Sequence, residues 1–99
     1  MDLIKPPVYR NQAWLKAVRS IGRCVLCGST ESIQAAHRNE GKGMGMKTPD
    51  SATACLCHKC HAEIDNGGSY TKAERHALMD RAIVLTVMEL VNQQKVGVK

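Results

Sequence analysis

The sequence predicts a small α+β domain, and three features carry that prediction. Two CxxC pairs, Cys24-x-x-Cys27 and Cys57-x-x-Cys60, stand about thirty residues apart. Between them lie two short runs that read as strands, and beyond them comes a long segment with a clear helix start. At 99 residues the chain, 1–99, is one domain and too short to bury a large share of its surface. With no Phe, one Trp and two Tyr, its apolar content is mostly Ala, Val, Leu, Ile and Met, so a metal or a partner chain is the expected stabiliser.

Met1 to Val8, with Pro6-Pro7, reads as an extended arm. Asn11 can cap the next segment, where Trp14, Leu15, Val18 and Ile21 recur at helical spacing until Gly22 ends the run. Arg10, Lys16, Arg19 and Arg23 give this short helix a basic side, which taken alone is a solvated face. Cys24 to Ser29, CVLCGS, has the form of a zinc knuckle: two thiols on a tight turn, with Gly28 relieving the backbone after the second. Ser32 to His37 reads as an Ala-rich strand, and Arg38 to Asp50, rich in glycine and basic residues, as a long loop. Ser51 to Cys57 offers a second strand leading into the second knuckle, and His58 to Asn66 a short helix stopped by Gly67-Gly68.

Thr71 and Glu74 form a TxxE capping box for the last helix, expected over about 71–94. Leu78, Ala82, Leu85 and Met88 fall on one side of it, and Ile83, Val84, Val87, Leu90 and Val91 widen the apolar surface. That is more apolar surface than one small domain leaves exposed, so the helix is either a core helix or a homodimer contact.

The two CxxC pairs place Cys24, Cys27, Cys57 and Cys60 where one tetrahedral zinc ion can be gripped by both. A lone CxxC suits a thioredoxin-like redox pair equally well; two pairs in a small chain short of aromatic core favour zinc. A closed four-thiolate site keeps no open position, so this ion is structural. Cys55, two residues before Cys57 on a strand, points to the same face and is a rival ligand, although a small buried side chain is its better reading. His37, Asp50, His58, His61, Glu63 and Asp65 are then left. His61 and Asp65, four apart, share one face of a helix and can hold a second, divalent ion, and the zinc draws His37 towards them.

With these residues in place the arrangement resembles the HNH, or ββα-metal, endonucleases in their zinc-bound branch. The stretches AAHRNEGKGMGMKTPD and CHKCHAEID look most similar to small prophage nucleases and to the nuclease part of a phage recombination enhancer. The resemblance covers roughly Cys24 to Asp65, a core of 24–66, and implies a ββα-metal fold in which a DNA phosphodiester is hydrolysed. By position it implies that His37 is the general base, that Asp50 braces the loop and orients it, and that His61 and Asp65 hold Mg²⁺ or another divalent metal. Many relatives carry an acid or a second histidine just before the base, and here that position is Ala36. The ion would then rest on His61, Asp65, waters and the substrate phosphate. Arg38, Lys42 and Lys47, in the loop beside His37, are the expected phosphate contacts.

Fourteen Lys and Arg against nine Asp and Glu give a formal charge of +5 and a pI near 9.1, which suits DNA as a partner. The opening MDLIKPP has no charged stretch followed by an apolar one, and the most apolar run, Ala82 to Val91, is too short to span a bilayer, so a cytoplasmic protein without membrane contact is expected. Two rival readings use the same features: a zinc-stapled nucleic-acid-binding module without catalysis, and a phage adaptor that docks on host or phage recombination proteins through its last helix.

Overall fold

The structure, a computed structural model, describes residues 10–38 and 49–93. The N-terminal arm, Lys42 and Lys47 lie outside the described residues. In chain order the elements are helix α1 (Gln12–Ser20), strands β1 (Ile33–His37) and β2 (Thr53–Cys57), and helices α2 (His58–Asn66) and α3 (Lys72–Asn92). The Asn11 side chain accepts from the Trp14 backbone N–H and caps α1. After it the chain reverses at Gly22, whose φ of +79° suits a residue without Cβ. The knuckle closes through Gly28 N–H to the Cys24 carbonyl at 2.9 Å and Cys24 N–H to the Ser29 carbonyl at 2.8 Å, with Gly28 at φ +80°. Ser32, at φ +51°, sits in the left-handed region, and β1 therefore begins at Ile33, one residue later than the sequence pattern suggests.

The two strands pair antiparallel, with Ala35 opposite Cys55 and His37 opposite Thr53. Side-chain alternation then splits the core in two. Ala36, Ala54 and Leu56 pack with Ile64 of α2 and with Met79 and Ala82 of α3. Ala35 and Cys55 pack on the other side with Val18 and Ile21 of α1 and Leu90 of α3. Each fully buried Val or Leu here contributes about 1.5–3 kcal/mol. A single helix serves both clusters because α3 lies along the outer edge of β2. There the Cys55 N–H, unused by β1, donates to Thr86 Oγ1 at 2.9 Å, and that hydroxyl donates on to the Ala82 carbonyl at 2.8 Å. The Cys55 carbonyl accepts from Val25 N–H at 3.0 Å, so knuckle and helix together close the sheet edge.

The last helix starts as expected, with both bonds of the Thr71–Glu74 capping box present. Its buried stripe differs from the apolar pattern: Met79, Ala82, Thr86 and Leu90 face inward, whereas Met88 is exposed together with Val84 and Val91. The polar Thr86 can face inward because the β2 edge satisfies its hydroxyl. Among the described residues no helix is long and apolar enough to cross a membrane.

Candidate metal centre and catalytic cleft

The Sγ atoms of Cys24, Cys27, Cys57 and Cys60 all lie within 4.8 Å of one another. Those of Cys27 and Cys57 are 3.6 Å apart. A tetrahedral zinc ion with bonds of about 2.3 Å sets its sulfurs about 3.8 Å apart, so the four thiols fit the ion with little adjustment. All five cysteines are free thiols. Burial, the largest influence on Cys24, pushes its thiol up, but the backbone N–H groups of Cys57, Cys27 and Leu26 outweigh it and bring it down to about 7. Burial and the thiols of Cys27, Cys57 and Cys24 push Cys60 up. Thiols this close cannot all ionise unless a cation offsets their charge, which is the electrostatic demand a divalent ion meets.

Cys55 takes no part in this group. It is fully buried, desolvation raises its thiol to about 11, and its Sγ donates to the Arg23 carbonyl at 3.2 Å. The cysteine cluster also leads directly into the next helix. Cys57 is the N-cap of α2, its sulfur accepting from Cys60 N–H at 3.5 Å, so the helix that carries His61 and Asp65 starts on one of the four clustered cysteines.

One turn apart on α2, His61 Nε2 and Asp65 Oδ2 stand 3.2 Å from each other. Gln34 on β1 explains the ring's orientation: its Oε1 accepts from His61 Nδ1 at 2.6 Å, and its Nε2 reaches His58 Nδ1 at 3.4 Å. With Nδ1 committed as donor, a neutral His61 turns its Nε2 lone pair towards the Asp65 carboxylate. Two acceptors at that separation require a proton or a cation between them, and adjacent ligands of an octahedral Mg²⁺ are about 3 Å apart. The residues therefore fit a divalent ion, as two ligands of a site that is completed from elsewhere. Among the described residues the four cysteines are the one group of three or more His, Cys, Asp and Glu side chains close enough to hold a metal by themselves.

His37 ends β1. Its Nε2 bonds Asp50 Oδ1 at 2.9 Å, and the same oxygen accepts from Arg10 Nη1 at 3.0 Å. The second oxygen, Oδ2, accepts from Asn11 N–H at 2.7 Å. Asp50 is 2 % exposed. The His37 imidazole first, then the Asn11 N–H and Arg10, hold its carboxyl below the ordinary carboxylate range. The turn that presents Asp50 is closed by Ala52 N–H to the Pro49 carbonyl at 3.0 Å and by Thr53 Oγ1 to the Asp50 carbonyl at 2.8 Å. Because Asp50 takes Nε2–H, Nδ1 is the basic nitrogen of neutral His37.

His37 and Asp65 line one cleft of about 200 Å³, together with Arg38, Ile64, Lys72, Arg75, His76 and Met79. His61 does not line this cleft itself but is paired to Asp65, which does. Arg38 is ion-paired with Asp80 of α3, Nε to Oδ1 at 2.8 Å, which ties the strand end to the last helix. The sequence pattern did not single out Gln34, Lys72, Arg75 or His76, and it read Arg10 only as part of the basic side of α1, whereas Arg10 precedes that helix and pairs with Asp50. The signal for Gln34 was its place three residues before His37, on the alternate face of the same strand. Comparison with protein-family models, with curated proteins and with solved structures gave no match to the chain.

Proposed function

We propose that the protein is a metal-dependent endonuclease that hydrolyses DNA phosphodiester bonds, with the four-cysteine centre as its structural zinc site. One observation carries this reading: a histidine whose tautomer is fixed by a buried carboxylate shares a cleft with an aspartate that is itself paired to a second histidine. His37 Nδ1 accepts the proton of the attacking water, and Asp50 steadies the imidazolium that results. His61 and Asp65 would hold a divalent ion, which when bound would supply charge neutralisation at the scissile phosphate and at the leaving oxygen. Gln34 keeps the His61 lone pair directed towards Asp65. Ala36 is fully buried against α2 and α3 and leaves two protein ligands for the ion, which suits a metal that keeps several waters.

The test is nicking of supercoiled plasmid with Mg²⁺ or Mn²⁺. General-base catalysis is worth about 10²–10⁴-fold, so His37→Ala should lose at least a hundredfold in rate while keeping its zinc content and DNA affinity. Equal cleavage by mutant and wild type, or none by wild type under any divalent ion, removes the enzyme reading. In the second case a zinc-stapled nucleic-acid-binding module takes its place.

A further inference from the structure

The cleft that holds His37 and Asp65 has a third wall that neither of them explains. Lys72, Arg75, His76 and Met79 recur at helical spacing along one face of the first two turns of α3, and all four line the cleft. Met79 and Ile64 are buried, so they form an apolar floor beneath a polar rim. On that rim Arg38, Lys72 and Arg75 oppose a single lining carboxylate, Asp65, which is itself a ligand of the proposed divalent ion. Arg75 Nη1 donates to the Gly67 carbonyl at 3.2 Å, which fixes its guanidinium between the end of α2 and the start of α3. Arg38 is braced by Asp80 two turns further along the same helix.

We infer that the first two turns of α3 form the backbone-binding wall of the nucleic-acid site, with Lys72 and Arg75 holding phosphates next to the one that lies between His37 and Asp65. This rests on the nuclease reading for the identity of the central phosphate. Phosphate contacts fix register without reading bases, which is what a cleft lined by cations and imidazoles, with its apolar side chains on the floor, can provide. The last helix thus does more than fill the core: its buried stripe packs the sheet while its first turns complete the substrate site.

The experiment measures binding of a fluorescent 20-bp duplex over a range of KCl concentrations, in the His37→Ala background so that no strand is cut. Removing one cation from the phosphate backbone lowers the slope of log K against log salt by about 1, so Lys72→Gln and Arg75→Gln should each do so. Lys16→Gln with Arg19→Gln, exposed on α1 across the sheet, should leave the slope unchanged. An unchanged slope in Lys72→Gln, an equal reduction from the α1 pair, or no duplex binding at all overturns the inference. Because Lys72 is exposed, its variant remains informative if Arg75→Gln fails to fold. Wild type that binds the duplex with the full slope but never nicks it would defeat the nuclease reading and leave the wall standing.

Discussion

On the nuclease reading Asp50 has two jobs at one residue, and they can be separated. As the acceptor for His37 Nε2–H it selects the tautomer with Nδ1 free; Asn can offer an amide N–H at the same place and no charge to steady an imidazolium. Asp50→Asn is expected to lower the nicking rate about a hundredfold or more with little change in zinc content, and activity within a fewfold of wild type would show that Asp50 is structural only. The same carboxylate gives stability a pH dependence of definite sign. Its folded pKa lies below the unfolded value, so its contribution is whole above about pH 4 and is lost as pH falls through the folded pKa. Wild type and Asp50→Asn share the zinc site, so the gap between their denaturation midpoints should shrink on acidification below about pH 4; a constant gap would contradict the pairing. His37, His61 and Asp65 were visible as residues because their spacing carries chemistry. Gln34 and the pairing of Arg10 with Asp50 were not, since each acts on a partner distant in sequence, and only the folded chain sets Gln34 Oε1 at His61.

At the scale of elements, the clearest sequence signals were local ones: the Asn11 cap, Gly22, Gly28 and the Thr71–Glu74 box act within a few residues and appear where they were expected. The buried stripe of α3 was harder to read because Thr86 breaks its apolar pattern, and what makes Thr86 an inward residue is the edge of β2 that β1 leaves open. Thr86→Val keeps the shape and removes both bonds, leaving Cys55 N–H buried without an acceptor. It should destabilise the protein by about 1–3 kcal/mol in urea denaturation, and a neutral effect would mean that the edge does not need this helix. Cys55 poses the complementary case. Alternation alone made it a rival to Cys57, and register decides between them, because its thiol turns into the cluster around Val18 and Leu90. Cys55→Ser should therefore retain one zinc per chain, whereas Cys57→Ser should not; loss of the metal from the first would reverse the ligand assignment.

For the whole molecule the question is how so small a core holds three helices. Among the described residues its largest fully buried side chains are Leu56, Leu90 and Val18, and no aromatic ring is fully buried with them. Domain stabilities are about 5–15 kcal/mol, while structural zinc in small peptides contributes about 10–16 kcal/mol, so removing the ion is comparable with the entire margin. A zinc ion on the four cysteines would join the knuckle after α1 to the end of β2 and the first turn of α2, and without it Cys57 would no longer be held at the start of the helix that carries His61 and Asp65. Isolated helices shorter than about 12–15 residues are marginal in water, and the 21-residue α3 exceeds that length, so residual helicity should survive zinc removal but a cooperative thermal transition should not. One equivalent of Zn²⁺ should restore the transition, and Mg²⁺ alone should not. If the nuclease reading holds, nicking should disappear with the zinc even in excess Mg²⁺, because Mg²⁺ is too hard an ion for four thiolates and cannot rebuild the helix that carries its proposed ligands, His61 and Asp65. A zinc-free chain that melts cooperatively and still cuts with Mg²⁺ would show that the core is sufficient without its metal and that the two sites are independent.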